Sequence, residues 1–556
     1  MKFANTRMAH TGMNKTGLNR SVAAAAMLAL LSGAAMGQNT DRVTVQNGLH
    51  NSQGNGTSGS AFPSSNGGEV VFASNATNLI SNDTNGFYDV FVRNRLTNTT
   101  VRVSVPDPSM GQAEANGFSS ITSVSGARIM NNTGRYVVFA SEASNLVVND
   151  TNGVADIFVR DRDFDNNGIF DEPGVGKTKT IRVNLTSSES QATGSCPNNI
   201  CDHFAYDACI SGDGRFVAFV SAADLAGESV AYSNVYVRDR DADNDGIFDE
   251  AGGVPDASKT ILVSRRTSVQ SGQQFDGYSD SPAISENGRH VSFVSLSSFL
   301  VSSDAQDSDL DVYVRDIVSN TTTKMSQAIS GSHGTALDSR SPSISANGRF
   351  VAFQSSASGL VTGDTANTDI FVRDRDTDND GIMDEPGMSS LVQASMGRSP
   401  FPLPAGTDVV LNANSTRPSI SRDGTKVAFQ SDATNATGAL LAYDTNNASD
   451  ILVRNLTTNS TSRVSLTKYE EQINGASTTA VISPEGNCVG FVSGAVGIDG
   501  LDINGGGNTD GFIRTIVPNG INNNCAASIL LPSVALSISD MTFGNDRTTG
   551  TQCTLV

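Results

Sequence analysis

Residues 210–221 read ISGDGRFVAFVS, and the chain keeps returning to that wording. It recurs as ISENGRHVSFVS (284–295), ISANGRFVAFQS (344–355), ISRDGTKVAFQS (420–431) and ISPEGNCVGFVS (482–493). Looser copies stand earlier, as PSSNGGEVVFAS (63–74) and MNNTGRYVVFAS (130–141). The shared glycines are Gly67, Gly134, Gly214, Gly288, Gly348, Gly424 and Gly486, spaced 60 to 80 residues apart. A fixed phrase at such a period marks a repeat architecture. Inside it, a short strand enters a turn written DG, NG or EG and a second strand leaves, as Phe216 to Phe219 does. Asn-Gly and Asp-Gly supply the positive φ that a two-residue hairpin turn requires.

Each copy is followed by a second phrase: YDVFVRNR (88–95), ADIFVRDR (155–162), SNVYVRDR (233–240), LDVYVRDI (310–317), TDIFVRDR (368–375), SDILVRNL (449–456) and TDGFIRTI (509–516). These β-branched and aromatic runs read as a third strand. A turn such as LTNTT (96–100) and a fourth strand such as VRVSV (101–105) complete a four-stranded antiparallel meander. The strands are apolar on both faces, as in a sheet held between neighbouring sheets. The expectation is an all-β, seven-bladed β-propeller. The two phrases together resemble the WD-repeat-like repeats of the TolB type over residues 41–516. That resemblance implies the fold; the group includes binding scaffolds, assembly factors and domains attached to enzymes, so it implies no single activity.

DRVTV (41–45) is worded like the fourth strands VRVSV (101–105) and SRVSL (462–466), and the last repeat lacks an obvious strand of its own there. Residues 41–45 are therefore expected to close blade seven, which removes two open sheet edges; SILLPSVALSI (528–538) is the competing strand. Residues 1–37 read as a secretory signal peptide: basic Lys2, Arg7, Lys15 and Arg20, the apolar SVAAAAMLALL (21–31), and a small-x-small site at Ala35 to Gly37. The propeller is expected over 38–516, and 517–556 is a tail without repeat wording. A secreted or periplasmic, monomeric product follows, with no transmembrane segment. Six cysteines remain in an oxidising compartment. Cys196 with Cys201 and Cys525 with Cys553 are the expected pairs, the second pinning the tail; Cys209 and Cys488 are either buried thiols or a bridge. A net charge of −20 with 17% charged residues argues against nucleic acid as a partner. A protein or cell-surface polysaccharide is the expected partner, met on the variable loops of one face.

In blades two, three and five the turn after the third strand is replaced by DRDFDNNGIFDE (161–172), DRDADNDGIFDE (239–250) and DRDTDNDGIMDE (374–385). Each contains D-x-D-x-[DN]-G, the opening of an EF-hand-type calcium loop, whose alternate carboxylates converge on one cation and whose glycine permits the sharp turn. The expected ligands are Asp163, Asp165, Asn167, Asp171 and Glu172; Asp241, Asp243, Asp245, Asp249 and Glu250; and Asp376, Asp378, Asp380, Asp384 and Glu385. The bidentate Glu of position twelve is missing, since Gly174, Gly252 and Gly387 stand there. The loops resemble dockerin or thrombospondin type-3 calcium loops in their first half only, and the alternative is an acidic solvated hairpin tip. Calcium would be structural, with an affinity in the range of about 10⁻⁴ to 10⁻³ M. These hairpins should share a face with the DG and NG turns.

Two repeated features read as structural. The acid opening the third strand (Asp89, Asp156, Asp311, Asp369, Asp450) suits strand initiation. The arginine closing it (Arg93, Arg160, Arg238, Arg315, Arg373, Arg454, Arg514) suits an internal tie more than a ring of cations around a channel. No H-E-x-x-H or G-x-S-x-G occurs, and of the five histidines His290 replaces a core aromatic. No catalytic or cofactor-binding residue is assigned. An enzyme acting on extracellular polysaccharide is the alternative; a polar cluster from non-equivalent blades lining the channel would favour it, and repeated small residues there would favour a scaffold. A structural surface or matrix protein is a third reading.

Overall fold

The computed structural model describes residues 39–516 apart from 50–51, 122–125, 192–204, 229, 231, 251–257, 268–276, 302–308, 330–337, 399–407, 436–443 and 500–507. The signal-peptide and tail expectations, residues 528–538 and the pairs Cys196–Cys201 and Cys525–Cys553 lie outside the described residues.

Seven four-stranded antiparallel sheets form the molecule. Blade three is typical, with strands Ala205–Ile210, Phe216–Ser221, Asn234–Asp239 and Lys259–Leu262. First strands touch one another from blade three round through blade seven to blade one, and blade two packs on blades one and three through its other strands, so the blades make a closed ring with the first strands innermost. The ring closes as the N-terminal wording indicates. Strand Thr40–Arg42 is the outer strand of blade seven, with Thr40 opposite Arg514 and Arg42 opposite Phe512. An extra two-stranded hairpin, Met396–Arg398 with Asp408–Val410, stands between blades five and six and has no counterpart in the repeat wording. Among the described residues the helical content is one 3₁₀ turn, Pro108–Met110. No described helix is long and apolar enough to cross a membrane.

The core repeats as the sequence does. Val217, Ala218, Phe219 and Val220 are all buried, because this strand meets a sheet on each face. Phe219 pairs across the strands with Tyr236, ring centroids 6.0 Å apart. The same stacked pair recurs in blades one, two, four, five and seven, and in blade six Leu452 faces Phe429. Such pairs add about 0.5–1.5 kcal/mol beyond the area they bury. Blades are keyed together at the turn glycines. Gly288 of blade four has φ +72°, and a Cβ there would lie 2.1 Å from the Phe216 ring of blade three. Gly348 stands in the same way over His290, which is buried as expected. Cys209 and Cys488 are buried free thiols.

Candidate metal centres and the channel vestibule

The three acidic hairpins are clamped at their base by two arginines each. Arg135, Arg215 and Arg349 follow the turn glycine and form fork-shaped ion pairs with Asp161, Asp239 and Asp374 at the strand end. Arg162, Arg240 and Arg375 are buried, donate to the carbonyls of Gly134, Gly214 and Gly348, and so hold the hairpins beside the DG and NG turns. The same three arginines pair with Asp171, Asp249 and Asp384. The acid at loop position nine is thus engaged at the hairpin base, and the structure does not bring it to the acidic tip.

At the tip, the first-position acids are buried and organise the turn. Asp163, Asp241 and Asp376 accept the backbone N–H groups of positions five and six. Gly168, Gly246 and Gly381 take φ of +83° to +89°, a conformation that only glycine adopts without strain. In two hairpins the carboxylates converge: Asp241, Asp243 and Asp245, and again Asp376, Asp378 and Asp380, each place an oxygen within 4.8 Å of the other two. Beside the first trio, one oxygen of Glu250 is buried without a hydrogen-bond partner. Burial, then the three aspartates of each trio, push the Glu250 and Glu385 carboxyls above their ordinary range. Each trio thus gathers hard carboxylate oxygens, the donor type that divalent cations such as Ca²⁺ and Mg²⁺ take. In blade two the corresponding residues are Asp163, Asp165 and Asn167, and Lys177 places its ammonium 2.6 Å from Asp165.

Sequence reasoning anticipated a central channel but none of the residues that line it. The third residue of each turn phrase lines its mouth on the turn face: Ser65, Asn132, Gly212, Glu286, Ala346, Arg422 and Pro484. Backbone N–H groups donate from blade to blade around it, Asn132 to Gly212, Gly212 to Glu286, Glu286 to Ala346, Ala346 to Arg422 and Arg422 to Pro484, at 2.8–2.9 Å. Side chains then bridge the opening. Glu286 receives Arg422 and Asn132, Arg422 also reaches Glu485 at 2.6 Å, and Arg128 stands 3.7 Å from Glu286. Behind this bridge the passage between Ile284, Ile344, Ile420 and Ile482 has a free volume of about 40 Å³.

The other end is open. A vestibule of about 810 Å³ is lined by Asp207, Asp280, Arg340, Arg417, Gln354 and Gln430, among others. In six blades the first strand is bulged here. A non-glycine residue at each bulge takes left-handed backbone: Ser60, Asp207, Ser281, Ser341, Arg417 and Thr479, φ 48–59°. Such strain is held only where the surroundings over-determine it. Burial pushes the Asp280 carboxyl up, against the Ser281 hydrogen bond and the Arg340 charge. Arg417 is exposed, with Thr479 Oγ1 as its side-chain partner at 3.3 Å. The charged vestibule residues Asp207, Asp280, Arg340 and Arg417 follow no repeat wording; the prolines Pro282, Pro342 and Pro418 after three of the bulges, and Gln354 and Gln430 at one position of two turn phrases, are the traces the sequence holds.

No family model matches the chain, and no curated protein matches it. Solved structures do. A putative TolB from Agrobacterium tumefaciens aligns at 12% identity and TM-score 0.31, over 74% of this chain and 97% of its own. An oligogalacturonate lyase in complex with manganese aligns at 10% identity and TM-score 0.41, over 87% and 99%. A prolyl endopeptidase aligns at 10% identity and TM-score 0.40, over 79% and 46%. The seven-bladed architecture itself is read from this chain's own strand pairing.

Proposed function

We propose that this propeller is an exported binding scaffold whose acidic hairpins are braced by calcium. The observation that carries the reading is the convergence of Asp241, Asp243 and Asp245, and of Asp376, Asp378 and Asp380, on hairpins already clamped at the base. Left alone, each trio sets three like charges within contact distance; a hard divalent cation turns that repulsion into a brace. The hairpins and the bridged mouth share one face. A protein or polysaccharide partner is then met on the other, at the vestibule and its surrounding loops.

Thermal unfolding in EDTA and in millimolar calcium tests this. A ligand that binds the folded state stabilises it by mass action, about 2.7 kcal/mol at a hundred times its Kd. The melting temperature is expected to rise by several degrees with calcium. The rise should shrink in Asp241→Ala/Asp243→Ala/Asp245→Ala and vanish when the blade-five trio is replaced as well. Identical melts in both media, with no calcium heat by calorimetry, refute the brace.

One observation favours the second reading, an enzyme acting on extracellular polysaccharide. Asp280, Arg340 and Arg417 come from non-equivalent blades, and Asp280 is a weakened acid in an open cavity. Release of reducing ends by the wild type and its loss in Asp280→Asn carries that reading; a polysaccharide panel left intact removes it.

A further inference from the structure

The three hairpins share their wording but not their charge balance. Between Arg240 and Lys259, and between Arg375 and Arg398, the sequence holds no basic residue; between Arg162 and Lys179 it holds Lys177. The Lys177 ammonium lies 2.6 Å from Asp165 and 3.6 Å from Glu172. Asn167, where the other hairpins have Asp245 and Asp380, donates its amide to the same two carboxylates at 3.0 and 2.5 Å. The acids of blade two therefore converge on donors. Those of blade three take only backbone N–H groups of their own turn: the Arg215 guanidinium stays 4.0 Å from Asp241, and the buried Glu250 oxygen has no hydrogen-bond partner.

We infer that Lys177 is a built-in cation, standing in the blade-two hairpin where the blade-three and blade-five hairpins take calcium, so that the protein binds two calcium ions and not three. This rests on the calcium reading above. The substitution is chemically matched. An ammonium offers three donors and one charge to two carboxylates, whereas a divalent ion needs six to eight oxygens and finds more acids in the other two loops. Replacing aspartate by Asn167 removes one of the charges that a divalent ion would need and supplies an N–H donor instead. One hairpin is thus permanently braced, and two are braced on condition that calcium is present.

Calcium stoichiometry on the full chain decides it, by equilibrium dialysis after chelation. The wild type should bind two ions, Asp241→Ala/Asp243→Ala/Asp245→Ala one, and Asn167→Asp/Lys177→Ala three. Three ions on the wild type, falling to two in Asp163→Ala/Asp165→Ala, overturn the surrogate and leave calcium binding intact. Zero ions overturn both, and any other wild-type number overturns the inference. Limited proteolysis in EDTA gives a second reading that does not depend on the variants. The blade-three and blade-five hairpins should be cut at least tenfold faster than the blade-two hairpin and be protected by calcium. Equal cutting of all three counts against the surrogate.

Discussion

Arg238 of blade three donates to the Thr186 carbonyl, in the segment leaving blade two, and to Thr260 of its own outer strand. Equivalent arginines do likewise elsewhere: Arg93 donates to the Leu49 carbonyl, Arg315 to that of Arg266 and Arg373 to that of Met325, while Arg514 pairs with the Glu470 carboxylate. Each fastens a third strand to the chain arriving from the blade before. The repeated arginine is thus an internal tie, and its position in every copy made that legible. The buried His290, 3.8 Å from Asp316, carries a testable consequence. Burial, then the Arg375 charge, hold its imidazole down at about 4, against 6.5 ordinarily. The folded-state value is depressed, so the unfolded chain takes up the proton first as pH falls. The neutral histidine's stability is complete above pH 6.5 and is lost as the pH falls through 4, amounting to roughly 3 kcal/mol. Asp83, Asp150 and Asp450, pushed up to about 6 by burial, work in the opposite direction. Urea unfolding of wild type and His290→Phe should therefore be compared at each pH. The wild type should weaken relative to the variant between pH 6.5 and 4, and a constant difference rejects the assignment.

At the scale of the element, the turn phrase does two jobs, and only one shows in its wording. Asp-Gly and Asn-Gly announce a hairpin; they do not announce that the glycine must also admit an aromatic ring from the blade before. Gly288→Ala should cost about 2–4 kcal/mol, from left-handed backbone and from the Phe216 ring together. Gly363→Ala has φ +86° but open space around it, so it should cost only about 1–2 kcal/mol. Equal losses in chemical denaturation would mean that the ring moves aside freely. The first-strand bulges were not legible for a related reason. Their left-handed residues are Ser, Asp, Arg and Thr, types that a pattern search assigns to ordinary strand or loop. The acidic hairpins were legible as a spacing, but their pairing with Arg162, Arg240 and Arg375 depends on a base geometry that spacing does not encode.

At the scale of the molecule, seven copies of one meander were enough to read the propeller, because each blade buries its faces on its neighbours. The lining of the channel was not legible, since its mouth and vestibule are built from positions at which the copies differ. Closure rests on a short strand: Thr40 accepts from Arg514, and Arg42 pairs with Asp499. Deleting residues 39–45 should leave the Asp510–Thr515 strand as an open edge. Concentration-dependent association in sedimentation and a melting temperature several degrees lower are expected. A monomer with the wild-type melt would show that the ring holds without its clasp.

The clasp also dictates a sequence of events in time. Thr40 and Arg514 are 474 residues apart along the chain, whereas the other strand partners within a blade are near neighbours in sequence. Local meanders can form as soon as each segment is available, while this one pairing must wait for nearly the whole chain. The final annealing is therefore an encounter between the two ends of an already structured arc. Until it happens, the arc presents a bare strand at one end, and it is in that interval that the protein is most exposed to joining a second copy of itself.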